Sequence, residues 1–297
     1  MIEPMHVAAV VVTYNRLPLL QQCLQALDAQ TAPLAAVWVI DNASTDGTEA
    51  AVRGRNLPNL IYRNTGRNLG GAGGFAYGVR EAALAGYDAL WLMDDDTIPE
   101  PEALEKLLQA DHELQRSYGW LSSRALAPDG TDQPMNRQRK SPYTDLENYE
   151  GATIPSVMAS FVSLFLPVAV IREYGLPIAE FFIWSDDWEY TRRISRELPC
   201  YVAPNSRVVH AMQNPGTVNI ATDAPSRWSR YHYFYRNDVV LYRREGIRGW
   251  LWLLAKDLWH TLQVLRDTRG QRFARIATIW KGFWEGVRFF PKISYLP

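Results

Sequence analysis

Four short apolar runs, each released at its carboxyl end into a polar or acidic loop, constrain this chain more than any other feature. Val7–Val12 is unbroken and closes in Thr13-Tyr14-Asn15. Such a run reads as a strand buried on both faces, as in a parallel sheet. Pro18 suits a helix first turn, and Leu19, Leu20, Cys23, Leu24 and Leu27 follow at helical spacing. Val37–Ile40 ends in Asp41-Asn42-Ala43-Ser44-Thr45-Asp46-Gly47-Thr48. Leu60–Arg63 runs into Asn64-Thr65-Gly66-Arg67-Asn68-Leu69-Gly70-Gly71-Ala72-Gly73-Gly74, after which Phe75–Leu84 reads as a helix. Ala89–Met93 ends in Asp94-Asp95-Asp96, with another helix over Pro99–Leu108. Strands alternating with helices predict an α/β fold, whose ligands bind at the carboxyl edge of the sheet.

The remainder is less regular. Residues 128–155 lack a clear period and read as a long mobile loop region. Val157–Val170, broken by Pro167, reads as a core strand entering a helix. Phe181-Phe182-Ile183-Trp184 leads into Ser185-Asp186-Asp187-Trp188-Glu189-Tyr190 and a helix through about Arg196. Cys200–Val202 and Arg207–Val209 are expected as separate short strands, the second ending at His210. No segment approaches the roughly 20 uninterrupted apolar residues of a spanning helix.

With 47% hydrophobic residues and only two cysteines in 297, the chain is neither disordered nor a disulfide scaffold. The opening stretch lacks the parts of a secretory signal, so a cytoplasmic location is expected. The net charge of −1 conceals a division. Residues 1–226 carry 17 basic and 27 acidic side chains, a balance of −10; residues 227–297 carry 14 and 5, a balance of +9. The second part also holds six of the eleven tryptophans. Two domains are expected at that boundary, the basic one facing an anionic partner.

Three adjacent carboxylates in one loop repel one another and resist desolvation, so Asp94-Asp95-Asp96 points to a neutralising cation, against the plainer reading of a solvated acidic turn. The glycine run is a weak match to a dinucleotide fingerprint, because it follows the third strand and lacks G-x-G-x-x-G. It either admits a bulky charged ligand to a helix N-terminus or serves close helix packing. Asp186, Asp187 and Glu189 stand where the helix dipole favours acids anyway. A carboxylate held ionised there, beside Trp184, is also a candidate general base next to a platform for a sugar ring. His210 is a plausible third metal ligand.

Together, the strand ending in Thr-Tyr-Asn, the Ile40-Asp-Asn-Ala-Ser-Thr-Asp-Gly-Thr48 run, the Asp triplet and the acidic helix start resemble the nucleotide-sugar-dependent, inverting family-2 glycosyltransferases of GT-A fold over roughly residues 7–210. The Asn68-Leu-Gly-Gly-Ala-Gly-Gly-Phe75 run, Trp184 with its acidic run, His210, and Arg230 with Tyr235-Arg236-Asn237 are most similar to cell-wall galactofuranosyltransferases, with rhamnosyltransferases close. The resemblance implies UDP-galactofuranose as donor and a polyprenyl-diphosphate-linked glycan as acceptor. It implies Thr13, Arg16 and Asp41 at the uracil and ribose end, with Asn68, Gly70 and Gly71 near the donor. Asp94 and Asp96 would meet Mn²⁺ or Mg²⁺, completed by His210, with Asp95 toward the ribose or sugar. Asp187 would be the base, and Asp186 and Trp184 would bind acceptor or sugar. The short stretch before the first strand resembles the initiating type of enzyme.

In residues 246–265 and 273–290, apolar residues including Trp250, Trp252, Trp259, Trp280 and Trp284 recur at helical spacing beside Arg272, Arg275, Lys281 and Arg288. Such helices suit the cytoplasmic face of a membrane with anionic lipid; alternatively they pack on the catalytic part or on a second subunit in a homo-oligomer. The acidic half argues against a nucleic-acid partner. The rival readings are a dTDP-rhamnose-dependent transferase and, in another class, a non-catalytic carbohydrate-binding protein.

Overall fold

Alternation along β1 (Val7–Thr13) sends its small and branched side chains to opposite cores: Val7, Ala9 and Val11 to one, Ala8, Val10 and Val12 to the other.

 The strand is therefore buried along its whole length. The structure, a computed structural model, describes residues 5–55, 57–212, 219–224, 227–268 and 270–297. After β1 come α1 (Leu17–Asp28), β2 (Ala36–Asp41), α2 (Thr48–Arg53), β3 (Leu60–Asn64), α3 (Gly70–Leu84), β4 (Ala89–Asp94), β5 (Thr97–Pro99) and α4 (Ala103–Glu113). Then follow β6 (Leu121–Leu126), β7 (Arg139–Ser141), β8 (Thr144–Asp145), β9 (Ile154–Pro155), β10 (Leu164–Pro167), α5 (Val168–Tyr174), α6 (Asp186–Ser195) and β11 (Tyr201–His210). The described chain closes with α7 (Trp228–Arg243), α8 (Gly246–Asp267) and α9 (Arg272–Arg288).

The main sheet runs β3-β2-β1-β4-β10-β6-β11-β5, with β9 also on β11. β3, β2, β1 and β4 are parallel, β10 is antiparallel to both β4 and β6, and β11 is parallel to β6. This is the mixed α/β sheet flanked by helices that the sequence predicts. Leu20, Cys23, Leu24 and Leu27 of α1 and Leu104 and Leu107 of α4 cover one face. Phe75, Val79, Ala82 and Ala83 of α3 cover the other. The parallel register pairs Thr13 with Asp41 and Val12 with Asp94, so the loops after three strands open at one edge.

Several local expectations change. The glycine run is not a loop before a helix at Phe75; it forms the first turns of α3. Gly74 and Gly78 let α3 lie directly on the sheet, since a Cβ would come within 2.6 Å of Val12 at the first and of Ile40 at the second. Pro99 belongs to β5, and the helix expected there starts at Ala103. The two short strands expected around residues 200–209 are one strand, β11, with a bulge between Ala203 and Arg207. Residues 128–155 include the paired β7 and β8 and bury Gln133, Asn136 and Gln138, so tertiary hydrogen bonds order a stretch that has no period of its own.

α7 is the link between the basic C-terminal part and the sheet. Its Val240 packs with Ala72, Ile178, Phe181 and Phe289, and it lies against both α8 and α9. α8 buries Gly249, Leu253, Asp257 and Val264. Trp250 packs edge-on to Phe283, while Ile247, Leu251, Leu258, Trp259 and Leu262 stay exposed. Among the described residues no helix is long and apolar enough to cross a membrane.

Candidate active site

The edge of the sheet collects acids under different constraints. Asp95 and Asp96 are buried, and Thr13 Oγ1 donates to Asp95 Oδ2 at 2.7 Å. Arg16 reaches back from the start of α1 to Asp95 Oδ1 at 3.3 Å and Asp96 Oδ2 at 2.8 Å. His210, at the end of β11, brings Nε2 to 3.2 Å from Asp96 Oδ1. Its Nδ1 lies 2.7 Å from Asn136 Oδ1, an oxygen that only accepts, so Nδ1 donates there and the ring is held with Nε2 toward Asp96.

Asp94, Asp96 and His210 present ligand atoms within 4.8 Å of one another. Asp96 Oδ1 is buried without a hydrogen-bond donor, the condition a cation would relieve. The donor set of two carboxylates and one imidazole suits a divalent ion, so the residues present fit the group that the sequence implies. Burial and the neighbouring Asp96 push the Asp94 carboxyl up to about 7. Burial raises Asp95 to about 6 against the pull of Arg16 and Thr13. For Asp96 burial acts in the same sense, but His210 and Arg16 outweigh it and hold the group below its ordinary value.

The second acidic group begins α6. Asp187 accepts the Trp188 N–H at 2.7 Å on Oδ1, and its other oxygen has no partner among the described residues. Asp186 is buried. The sequence suggests that the helix start keeps Asp187 ionised, but the structure reverses that balance. Burial, then the charge of Asp186, push Asp187 well above the ordinary carboxylate range, and the charge of Asp94 adds to the rise. Desolvation exceeds the few tenths to about 1 kcal/mol that a helix terminus supplies. Glu189, third acid of the run, is a structural ion-pair partner, buried between Arg193 and Arg244.

The approach to α6 is strained. Phe182, Trp184 and Ser185 have φ of 65°, 66° and 63°, a region costly for side chains with a Cβ. Asn237 of α7 holds this segment: its Nδ2 lies 3.0, 3.1 and 2.9 Å from the carbonyls of Phe181, Ile183 and Trp184. Arg236 donates to Asn237 Oδ1 and to the Glu180 carbonyl at 2.6 Å, which orients the amide. Ser185 Oγ donates to Asp238 Oδ1 at 2.6 Å. Trp184 is half-buried, edge-on to Tyr231 at 5.2 Å and to Phe234 at 5.9 Å.

The remaining predicted donor residues stand at the same edge in unequal states. Asp41 is buried with both oxygens engaged, by Tyr62 OH at 2.6 Å and the Ser44 N–H at 2.8 Å, so here it shapes its loop. Asn68 is exposed and its Oδ1 accepts the Gly70 N–H at 2.8 Å. The Ala72 N–H donates to the Phe182 carbonyl at 3.2 Å, so the start of α3 is partly capped by the protein itself. Gly70 has φ +73° and would place a Cβ 2.0 Å from that carbonyl, whereas Gly71 faces open space. Sequence reasoning missed Asn136 and the grip of Asn237. The first sits in a stretch without pattern; the second belongs to the Tyr235-Arg236-Asn237 run, to which the resemblance assigns no role.

The sheet edge thus gathers three metal-ligating side chains, a second carboxylate pair and a partly open helix start, at the place where open α/β sheets bind their ligands. Residues 8–167 match the family described as Glycosyl transferase family 2, and the chain belongs to that family. It is similar to the galactofuranosyltransferase GlfT1 of Mycolicibacterium smegmatis, 29% identical over 90% of this chain and 93% of the relative. Among solved structures, GalNAc-T7 with UDP, GalNAc and Mn²⁺ superposes with a TM-score of 0.60 at 14% identity, over 78% of this chain and 48% of that one. TarS 1-349 of S. aureus in complex with UDP gives 0.56 at 16%, over 94% and 89%. At these identities the two structures establish the GT-A fold, and the family establishes a glycosyltransferase, consistent with inversion at the transferred sugar.

Proposed function

We propose that this enzyme transfers galactofuranose from UDP-galactofuranose to a hydroxyl of a polyprenyl-diphosphate-linked glycan, with inversion, in the synthesis of a cell-wall or surface polysaccharide. The observation that carries the transferred sugar is the similarity to a galactofuranosyltransferase over 90% of this chain; the UDP donor and the lipid-linked acceptor rest on the resemblance of the motifs. Asp94, Asp96 and His210 would hold Mn²⁺ or Mg²⁺, whose charge would offset that developing on the leaving diphosphate. Thr13 and Arg16 fix Asp95 and Asp96 beside the donor, and Asn68, Gly70 and Gly71 border it. Asp41 supports the nucleotide end through its loop. Asp187, with one oxygen uncommitted, takes the proton of the attacking hydroxyl, and Asp186 and Trp184 flank the acceptor. Burial makes Asp187 a stronger base once deprotonated.

In this reading residues 1–226 form the catalytic domain and residues 227–297 bring it to the cytoplasmic face of the membrane, where a lipid-linked acceptor resides. The exposed apolar face of α8, with Trp259 half-exposed among leucines and Arg248 exposed beside them, supports an interfacial role. The protein is expected to float with anionic liposomes at low salt and to sediment without them; failure to float would remove the membrane from the proposal. The deciding experiment incubates the protein with a synthetic lipid-diphosphate glycan primer and either UDP-galactofuranose or dTDP-rhamnose, then weighs the product. A hexose added only from UDP-galactofuranose is expected. A deoxyhexose from dTDP-rhamnose would replace the donor, and no transfer from either would overturn the reading.

A further inference from the structure

A cavity of about 750 Å³ opens between α3, residues 176–182 and the last residues of the chain, a size suited to a ligand of a few tens of atoms. One wall is the segment after α9, and it is firmly placed. The Leu176 N–H donates to the Ser294 carbonyl at 2.8 Å, and Leu296 packs into the core under α3. Gly175, at φ +77°, is the point of closest approach: a Cβ there would lie 2.6 Å from Ile293. Arg67 and Arg80 line the cavity from α3 and its approach, and Lys292 lines it from the C-terminal segment. All three are exposed, and none has an ion pair or a side-chain hydrogen bond among the described residues. Elsewhere arginines close to carboxylates are paired, as Arg124 and Arg137 are with Asp132. Glu180 is the one carboxylate in the lining, so the cavity carries an excess of positive charge. Between the cations Leu69, Ala76, Leu176 and Pro177 give the lining an apolar part, beside the polar tips of Tyr77, Ser294 and Tyr295.

Unpaired cations gathered around an apolar recess suit a ligand with both a concentrated negative charge and a hydrocarbon chain. We propose that this cavity binds a prenyl diphosphate, Arg67, Arg80 and Lys292 taking the phosphates and the apolar lining taking the first isoprene units. Asn68 lines the same cavity and accepts the Gly70 N–H, so the cavity adjoins the start of α3. The assignment of that ligand as the enzyme's acceptor rests on the function proposed above; the binding site itself rests on the cavity.

The test separates the two. The full chain is titrated by calorimetry in EDTA, so that metal-dependent donor binding is silent, with farnesyl diphosphate and with inorganic pyrophosphate. Farnesyl diphosphate is expected to saturate one site and to bind more tightly than pyrophosphate. The combined Arg67→Ala, Arg80→Ala and Lys292→Ala variant, whose changes are all exposed, is expected to raise its Kd about tenfold or more. Asp96→Ala should leave this binding unchanged. Absence of saturable binding, an unchanged Kd in the triple variant, displacement by UDP in EDTA, or equal affinity for pyrophosphate would each overturn the proposal. In turnover, the triple variant should raise KM for the lipid-linked primer and leave KM for the nucleotide sugar unchanged. If the protein bound farnesyl diphosphate as described yet transferred no sugar, the site would stand and the function would fall.

Discussion

Two groups of acids meet at the carboxyl edge of the sheet, and they differ in what answers their charge. Around Asp94, Asp95 and Asp96 stand Arg16, Thr13 and His210, and one buried oxygen, Asp96 Oδ1, still lacks a donor. Around Asp186 and Asp187 no cation makes an ion pair among the described residues, and the carboxyls respond by rising, Asp186 to about 6 and Asp187 well beyond its ordinary range. Burial acts on both groups; only the first is supplied with positive charge and an imidazole. The difference assigns them separate tasks, one to hold a cation and the other to hold a proton.

The comparison breaks first at Asp187. Asp187→Asn is expected to cut turnover by roughly 10²–10⁴-fold, the usual worth of a general base, with donor affinity nearly intact. Near-wild-type turnover would remove it from the role. Next, Asp96→Ala should weaken Mn²⁺-dependent UDP binding by about tenfold or more, and unchanged affinity in calorimetry would remove the cation from the first cluster. Asn237→Ala leaves the carbonyls of Phe181, Ile183 and Trp184 without their shared donor. It should cost about 1–3 kcal/mol in urea unfolding and lower kcat more than it alters donor affinity. A loss confined to stability would separate the strained segment from catalysis.

The smallest effect is in pH. Asp94 is raised to about 7 from an ordinary 3.8, so the folded protein without metal binds a proton that the unfolded chain has released. Between about pH 4 and pH 7 this group therefore lowers stability as pH rises, and a bound cation cancels the cost. The gain in Tm on adding Mn²⁺ should be larger at pH 8 than at pH 5.5; an equal gain at both would show that Asp94 does not release its proton to the metal.

Much of this edge was legible beforehand. The strand runs at β1, β2, β3 and β4 and the loops that follow them are local patterns, and the structure places them within a residue or two. Asp94, Asp96 and His210 were grouped from separate strand ends and do converge. The glycine run was legible as glycine but not as helix, because its reason lies in Val12, Ile40 and Phe182, which the run itself does not contain. The face of α8 was legible as an apolar stripe, while only the fold shows that much of the stripe points outward and that Gly249, Leu253 and Val264 make the packed side.

By itself, then, the sequence determined the alternation of strand and helix, the edge at which the acids lie, and the division of charge between the two parts, since period and composition are properties of neighbouring residues. Tertiary structure decided which acids are answered and which are not. Asn136 meets His210 across 74 residues, and Asn237 meets Phe181 across 56. A hydrogen bond or a desolvated carboxylate depends on what comes near through space, and no local pattern along the chain records it.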